Sequence, residues 1–315
     1  MDKHASIFVA GHRGLVGSAL VRRLKALGFT RVIERTRAQV DLTRQAQVEE
    51  FFKSERPEYV FMAAAKVGGI LANSTRGADF IRENLLIQSN VIDAAWRHGA
   101  RKLQFLGSSC IYPKMARQPM READLLTGPL EPTNEPYAIA KIAGIKMGQA
   151  YRAQYGFDVI SVMPTNLYGP GDNFDLQNSH VLPALMRKVH DAKLAGAPTV
   201  EIWGTGSPRR EFLHVDDLAD ACVFLMQRYS EGEIVNAGVG QDISIREAAE
   251  LMKQIVGYSG ALVFDTSKPD GTPRKLLDVS KLNGLGWQAK ISLAEGLRST
   301  YQWYLENIPA AAVTR

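Results

Sequence analysis

The sequence predicts an α/β protein with a doubly wound parallel sheet and a second, smaller C-terminal α/β lobe. Two observations support this class. The first two-thirds of the chain alternates short apolar runs with longer amphipathic segments, which is typical of strands and helices that enclose a buried parallel sheet. After Pro164 the sequence becomes rich in Gly, Pro, Asn and Asp from residue 166 to residue 179. This change of composition indicates a loop that leads into the second lobe.

The strands and helices of the first lobe have different signals. Short apolar runs bounded by polar or turn residues predict strands over 6–10, 31–35, 59–63, 102–106 and 159–163. Apolar residues at i, i+3 and i+4 spacing place one stripe of a helix against a core. This spacing predicts helices over 18–28, 45–54, 80–98 and 137–155.

We expect a first domain over residues 1–165 and a second lobe formed mainly by residues 166–315. Residues 212–238 combine a helix-like segment with another apolar run, so we expect the chain to return to the first domain there. Two further helices are predicted over 245–256 and 293–307, because both segments repeat the amphipathic spacing.

Composition limits the classes of function. The chain has 315 residues, of which 45% are hydrophobic and 23% are charged, as in ordinary folded proteins. The net charge is +5, but the charges are interspersed, so we expect no nucleic-acid partner. A modest basic excess suits a ligand with several phosphates. The only cysteines, Cys110 and Cys222, have neither disulfide nor metal-ligand spacing, and we expect no metal site.

The N-terminal sequence predicts a cytoplasmic protein. It reads MDKHASIFVAGHRG, in which turn glycines follow four apolar residues. A secretory signal needs an apolar core of roughly 7 to 15 residues. A membrane span needs roughly 20 apolar residues, and the sequence contains no such stretch, so we expect no membrane partner.

A glycine-rich turn follows the first predicted strand. Gly11, Gly14 and Gly17 stand in GHRGLVG, immediately before a predicted helix. Such glycines allow a tight turn, a close approach to a diphosphate and close packing of helix on strand, as in Rossmann-type dinucleotide sites. The alternative is an ordinary tight turn. We expect the whole turn to contact a dinucleotide: Gly11, His12, Arg13, Gly14, Leu15, Val16 and Gly17.

The end of the second predicted strand indicates which dinucleotide binds. A carboxylate there accepts from the ribose of NAD, whereas arginine receives the 2′-phosphate of NADP. Arg35 and Arg37 follow the strand, and Arg13 lies in the glycine turn, so NADP(H) is favoured. The alternative is that the arginines are solvated and Glu34 accepts from the ribose. Two residues further along are expected beside the adenine: Asp41 and Leu42.

Two residues of one predicted helix suggest proton transfer. Tyr137 and Lys141 lie four apart and therefore on one helix face, after Thr133 and Asn134 as candidate caps and Pro136 in the first turn. We expect the lysine ammonium to lower the pKa of the phenol and make Tyr137 a general acid.

The fourth predicted strand ends in FLGSSCIYP, at the edge of the sheet where ligands gather. Ser108 or Ser109 can donate a hydrogen bond to a substrate oxygen there. Together with the glycine turn and the Tyr and Lys pair, this serine resembles the catalytic set of the short-chain dehydrogenase/reductase superfamily.

Further motifs, spread over nearly the whole chain, narrow the resemblance: AAAKVGGI, LGSSCIYPK, EPTNEPYAIAKIAGIK, VMPTNLYGPGDNF, NSHVLPAL, REFLHVDDLA and KPDGTPRKLLD. All of them resemble the GDP-L-fucose synthase family. The resemblance implies epimerisation of GDP-4-keto-6-deoxy-mannose at C3 and C5, followed by reduction of its ketone with NADPH.

The same resemblance implies roles for individual residues. Ser108, Tyr137 and Lys141 correspond to the hydride-transfer triad, Cys110 to the epimerisation base and His180 to the acid. If residues 108–110 are extended, Cys110 points the same way as Ser108. The alternatives are that Cys110 is a small buried hydrophobe and that His180 is a helix cap or a surface residue.

The resemblance also implies contacts with both ligands. The second lobe is then the substrate-binding lobe, and its candidate contacts with a GDP-sugar are Lys188, Trp203, Arg210 and Asp270. Further cofactor contacts are expected from Leu106, Gly107, Lys141, Pro164, Asn166, Leu167 and His180. Many relatives form a dimer through the helices predicted over 80–98 and 137–155, so a homodimer is expected.

The sequence is also compatible with other functions. Another nucleotide-sugar 4-epimerase, 4,6-dehydratase or reductase would share this fold. A dehydratase would need an acidic pair near residues 109–111, where this chain has Cys110. A non-catalytic NADP-sensing protein would not need the full Ser, Tyr and Lys set.

Overall fold

A central parallel sheet organises the first lobe. The structure is a computed structural model that describes residues 1–69, 75–176, 178–268 and 270–308. Within these residues the sheet has the order β2-β1-β3-β4-β5-β10, and every pairing in it is parallel. Its strands are β1 (Ile7–Ala10), β2 (Val32–Ile33), β3 (Tyr59–Met62), β4 (Lys102–Leu106), β5 (Asp158–Pro164) and β10 (Val235–Ala237). The predicted doubly wound α/β fold is confirmed.

Helices cover both faces of this sheet. One face carries α2 (Gln45–Glu55), α3 (Gly77–Arg97) and α4 (Glu135–Tyr155), and the other carries α1 (Leu15–Ala26) and α6 (Val215–Arg228). Each face buries its own apolar cluster, with Phe105 in the first and Val162 in the second. Because neighbouring strand residues point to opposite faces, β5 supplies both clusters, with Val159 and Met163 in the first and Ile160 and Val162 in the second.

The smaller lobe has a third apolar cluster, between α5 (Val181–Ala195), α7 (Ile245–Val256) and α9 (Leu293–Asn307). Its strands β7 (Thr199–Trp203) and β12 (Ala261–Asp265) are parallel. The strand β8 (Arg209–Arg210) lies between β11 (Ile243–Ser244) and β13 (Arg274–Lys275). A short helix, α8 (Ser280–Gly284), follows β13, and its Leu282 is buried in the second apolar cluster of the first lobe.

Three predicted elements need correction. The second strand covers only Val32–Ile33 instead of 31–35. The first helix begins at Leu15 instead of residue 18, because the glycine turn itself enters the helix. The segment predicted as a loop over 166–179 begins with β6 (Asn166–Tyr168), which pairs in parallel with β9 (Phe212–His214). A three-residue strand is too short to show a periodic pattern, and its partner is distant in sequence.

Two kinds of feature, a membrane-spanning helix and a metal-binding group, are absent from the described residues. No described helix is long and apolar enough to cross a membrane. No group of three or more His, Cys, Asp or Glu side chains among them could hold a metal ion. Ile70, which ends one of the motifs, and residues 309–315 of the predicted second lobe lie outside the described residues.

Candidate active site

Each glycine of the turn after β1 meets a different steric demand. Gly11 has φ of +84°, and a Cβ there would lie 2.8 Å from the backbone of Ala64. A Cβ on Gly17 would lie 2.0 Å from the carbonyl oxygen of Gly11, so only glycine lets α1 pack this closely on the turn. A Cβ on Gly14 would meet only that same oxygen, at 3.5 Å. This openness leaves room for a ligand where α1 begins.

The start of α1 is suited to an anion. Gly14 is its N-cap, and no side chain caps the first turn. The first backbone N–H groups of a helix have no partner within it and carry partial positive charge. The backbone of Leu15, Val16 and Gly17 therefore offers donors to a diphosphate, with the exposed Arg13 beside them.

The charged residues after β2 differ in how exposed they are to a ligand and in the ion pairs that they form. Arg35 forms an ion pair with Glu55 and lies over the ring of Phe51, 5.9 Å from the centroid. The carboxylate of Glu34 accepts a hydrogen bond from Lys25 Nζ at 2.8 Å. Arg37 is 71% exposed, with its guanidinium 3.5 Å from a carboxylate oxygen of Asp41. Arg37 also lies 3.8 Å from a carboxylate oxygen of Glu83, but it is the more exposed of the two arginines and can reach a bound phosphate, whereas Glu34 is paired with Lys25.

The predicted adenine neighbours are held firmly. Asp41 Oδ1 accepts from the backbone N–H and the hydroxyl of Thr43, at 3.0 and 2.8 Å. Burial by itself would raise the pKa of Asp41, but these hydrogen bonds and the charge of Arg37 lower it overall. The carbonyl of Leu42 accepts from Asn90 Nδ2 at 2.9 Å, and its side chain packs on the core.

Lys141 is buried beneath the end of β4. The residue is 4% exposed, and its Nζ donates to the carbonyl of Leu106 at 2.7 Å. The ammonium lies 4.9 Å from the ring centroid of Phe105 and 5.8 Å from that of Tyr137. Burial lowers the pKa of Lys141 to about 7, because the charged form is poorly solvated there.

Tyr137 lies on the first turn of α4, which contains a proline as predicted. The pKa of Tyr137 is raised by burial and by the nearby Cys110, and a hydrogen bond with Ser108 opposes this rise. The expectation that Lys141 lowers the pKa of Tyr137 is therefore wrong for this structure, since desolvation dominates. Asn134 occupies the N-cap position, as one of the two candidate caps, but its side chain makes no cap hydrogen bond.

The segment after β4 is a turn and not an extended strand. Ser109–Ile111 form one turn of 3-10 helix, so the extended geometry predicted for residues 108–110 is wrong. Ser108 precedes the turn with an extended backbone, and its Oγ accepts from the N–H of Cys110 at 3.3 Å. The side chain of Ser109 is buried, whereas Ser108 and Cys110 are half-buried. Ser108 is therefore the serine that faces the site.

The neighbouring Gly107 explains how closely this turn approaches the sheet. A Cβ on Gly107 would lie 2.3 Å from the sulfur of Met163, and its N–H donates to Val162 at 2.9 Å. Gly107 thus fixes the end of β4 against β5. The carboxyl ends of β4 and β5 therefore meet at one edge of the sheet, where Pro164 and Leu167 also lie.

His180 occupies the N-cap position of α5 but makes no cap hydrogen bond with its side chain. The residue is exposed, yet the surrounding protein desolvates its charged form and lowers the pKa of the imidazole. The preceding segment is attached to the loop after β3, because the N–H of Gly69 donates to Asn178 at 3.2 Å. A capping role therefore does not explain His180.

The four candidate GDP contacts lie together on the smaller lobe. Trp203 is 63% exposed, and Lys188 Nζ lies 5.5 Å from its ring centroid. Asp270 accepts from the N–H and the hydroxyl of Thr205, at 2.9 and 2.7 Å. Burial lowers the pKa of Arg210, and Asp270 opposes that shift. Aromatic, cationic and anionic groups therefore share one surface.

Two residues of this region were not predicted from the sequence. Lys268 Nζ also lies over Trp203, 5.7 Å from the ring centroid. Glu211 is fully buried, and its carboxylate accepts from three backbone N–H groups, those of Val239, Gly240 and Leu277. Its carbonyl accepts from Asn166 Nδ2 at 2.8 Å. The signal for Glu211 was a single acid directly before the apolar residues Phe212 and Leu213 in REFLH.

Comparison with known proteins agrees with this site. Residues 7–238 match the model of the NAD dependent epimerase/dehydratase family. The chain belongs to this family. One curated relative, GDP-L-fucose synthase 1 from Arabidopsis thaliana, is 66% identical over 307 residues, which cover 98% of this chain and 95% of the relative.

Two solved structures of family members have the same fold. A GDP-6-OMe-4-keto-L-xylo-heptose reductase from C. jejuni superposes with a TM-score of 0.92 and 42% identity, covering 97% of this chain and 99% of that one. A GDP-L-fucose synthetase from Naegleria fowleri bound to NADP superposes with a TM-score of 0.91 and 30% identity, covering 98% of this chain and 94% of that one.

Proposed function

We propose that this chain converts GDP-4-keto-6-deoxy-D-mannose into GDP-L-fucose, by epimerisation at C3 and C5 and then reduction of the 4-ketone with NADPH. One observation is the main support for this proposal. Ser108, Tyr137 and Lys141 meet at the end of β4, and Cys110 lies in the next turn, close enough to influence the pKa of Tyr137. The 66% identity to a GDP-L-fucose synthase supports the same substrate.

The residues around α1 fit NADP(H). Gly14 leaves open space at the start of the helix, and the uncapped N–H groups there suit the diphosphate. Arg37 is the more exposed of the two arginines after β2 and suits a 2′-phosphate, and Glu34 is paired with Lys25. When bound, NADPH supplies the hydride that reduces C4 of the sugar.

Epimerisation requires a base, an acid and a site for an oxyanion. A ketone at C4 acidifies the hydrogens on C3 and C5, and both deprotonations develop negative charge on O4. Ser108 accepts the N–H of Cys110 and is hydrogen-bonded to Tyr137, so the two hydroxyls lie side by side, where both can turn to donate to O4. Cys110 removes the proton from carbon, and His180 returns one on the opposite face of the sugar.

Reduction uses the same oxyanion site with a different proton carrier. As hydride reaches C4, Tyr137 donates its proton to O4. The raised pKa of Tyr137 keeps the phenol protonated at neutral pH, which suits a proton donor to an alkoxide. The hydrogen bond from Lys141 to Leu106 fixes the buried side of the site.

The surface around Trp203 suits the GDP portion of the substrate. The exposed indole of Trp203 offers a stacking face for a purine, and Lys188 beside it offers an ammonium for phosphate. Arg210 provides a planar guanidinium with several donors, and Asp270 opposes the lowering of its pKa.

We further propose that the protein is a cytoplasmic homodimer. The indole of Trp96 on α3 stacks on Tyr155 of α4, with ring centroids 4.0 Å apart. Tyr155 and Ile139 are 44% and 40% exposed on α4, which favours an apolar interface between paired helices. Cys110 and Cys222 are free thiols, as is usual in a reducing compartment.

Product analysis tests the proposed function. GDP-4-keto-6-deoxy-D-mannose and NADPH should give GDP-L-fucose, identified by mass spectrometry for the added hydrogens and by NMR for the inverted centres. A product reduced at C4 but not inverted at C3 and C5 would show that the chain acts only as a reductase. It would refute the proposed epimerisation.

A further inference from the structure

Tyr112 immediately follows the turn that carries Cys110 and is 3% exposed. Its hydroxyl donates to Asn236 Oδ1 at 2.5 Å. Asn236 lies in β10, at the far edge of the central sheet, and is fully buried. A single hydrogen bond therefore joins the end of the Cys110 turn to a distant strand.

The orientation of the Asn236 amide is fixed by its other contacts. Its Nδ2 donates to the carbonyls of Met120 and Asp278, at 3.0 and 3.1 Å, which uses both protons of the NH₂ group. Only Oδ1 remains to face Tyr112, and it can only accept. Since the backbone N–H of Asn236 also donates to Glu122 at 3.0 Å, the acceptor for Tyr112 is held on several sides.

The turn itself is weakly held by its own hydrogen bonds. The N–H of Cys110 reaches Ser108 Oγ at 3.3 Å, that of Ile111 reaches the Ser108 carbonyl at 3.3 Å, and that of Tyr112 reaches the Ser109 carbonyl at 3.5 Å. These are longer than ordinary N–H to oxygen distances of about 2.9 to 3.0 Å. The bond from the Tyr112 hydroxyl to Asn236 holds the turn from its C-terminal end.

The reducing residues are attached to other parts of the fold. Ser108 continues from β4, where Gly107 is hydrogen-bonded to Val162. Lys141 and Tyr137 belong to α4, and Lys141 donates to Leu106. None of these attachments passes through Tyr112 or Asn236.

We propose that Tyr112, held by Asn236, is a positioning residue for the thiol of Cys110 and thereby for epimerisation, without a part in hydride transfer. The inference rests on the proposed role of Cys110 as the base. A small displacement of a reacting group can cost about 100-fold in rate, so loss of the anchor should affect proton abstraction from carbon selectively.

The test compares the two half-reactions in Tyr112→Phe. Epimerisation is followed as deuterium incorporation at C3 and C5 of the 4-keto substrate in heavy water, with NADP⁺ in place of NADPH. Reduction is followed with an already epimerised 4-keto sugar and NADPH. The expected result is a fall of about 10-fold to 100-fold in the maximal exchange rate, with KM and the rate of reduction within about twofold of the parent.

A matched control is Tyr229→Phe. Tyr229 is also buried, and its hydroxyl donates to the carbonyl of Glu233 at 2.9 Å, so this variant loses a comparable hydrogen bond away from the turn. It should keep both half-reactions. Asn236→Ala removes the acceptor of the same bond and should show the same selective loss of exchange. Each rate is expressed per molecule of bound cofactor, NADP⁺ for exchange and NADPH for reduction.

The outcomes separate this inference from the proposed function. If Cys110→Ala exchanges as fast as the parent, the role of Cys110 fails and the inference fails with it. If Cys110→Ala stops exchange but Tyr112→Phe lowers exchange and reduction equally, or lowers neither, Tyr112 has no positioning role and the inference alone is overturned. If Tyr112→Phe does not fold, Asn236→Ala decides by the same criteria.

Discussion

The ammonium nitrogen of Lys141 lies 2.7 Å from the carbonyl oxygen of Leu106, which joins the helix of Tyr137 to the strand that ends before Ser108. This hydrogen bond replaces part of the hydration that the ammonium loses on burial. The replacement is incomplete, because the pKa of Lys141 still falls to about 7. The site is therefore held together by a group whose charged form destabilises the fold.

Lys141→Met should change stability in a pH-dependent way. In the unfolded chain the lysine keeps its ordinary pKa of 10.5, so between about pH 7 and that value the unfolded state binds more protons than the folded state. Rising pH therefore stabilises the parent relative to the variant. The difference in Tm, variant minus parent, should be largest near pH 6 and decrease towards pH 10, as calorimetry would measure.

The control for this prediction is Lys146→Met, on the same helix but exposed and hydrogen-bonded only to Gln149. Its Tm difference from the parent should not vary over this range. A Tm difference for Lys141→Met that is also independent of pH would contradict the lowered pKa.

Arg37→Ala should weaken the preference for NADPH over NADH. A charge-assisted hydrogen bond contributes about 1.5 to 3 kcal/mol, so KM for NADPH should rise about 10-fold to 100-fold while KM for NADH changes little. Arg35→Ala is the matched control, since Arg35 is paired with Glu55 and its loss should not distinguish the cofactors. Equal losses for both cofactors in Arg37→Ala would refute the assignment.

The glycine turn shows what the sequence can establish about this site. The three predicted roles of Gly11, Gly14 and Gly17 follow from local sterics, and the structure gives each glycine the corresponding environment. The turn that contains Cys110 could not be predicted, because a single turn of 3-10 helix has no periodic signal. The bond between Tyr112 and Asn236 could not be predicted either, since its partners are 124 residues apart.

Tyr137→Phe should suppress reduction while NADPH still binds. The phenylalanine keeps the ring that packs edge-on against Phe80, with centroids 6.5 Å apart, so the variant loses only the proton donor to O4. Consumption of NADPH with an already epimerised 4-keto sugar should fall by about 100-fold or more, within the range for general acid catalysis. Tyr258→Phe, which loses a hydrogen bond to Ala197 in the smaller lobe, should reduce normally. A Tyr137→Phe variant that reduces at the parent rate would exclude Tyr137 as the acid.

The last prediction separates the base from the acid of epimerisation. In heavy water with NADP⁺, the parent should incorporate deuterium at C3 and C5 of the 4-keto substrate above the background. Cys110→Ala should abolish this exchange, because no thiolate remains to remove the proton. His180→Asn should slow inversion strongly but leave some exchange, because deprotonation and return on the same face need only Cys110.

The pH dependence should separate the same two steps. His180 can donate a proton only as the imidazolium, and the surrounding protein lowers its pKa below the ordinary value of 6.5. Inversion should therefore slow as pH rises through and above the lowered pKa, whereas exchange does not depend on this imidazolium. In His180→Asn the remaining inversion should lose this decline with pH, as NMR of the sugar at several pH values would show. If inversion in the variant keeps the parent's pH profile, another group is the acid. The base is then identified independently, since exchange in Cys110→Ala does not depend on which residue returns the proton.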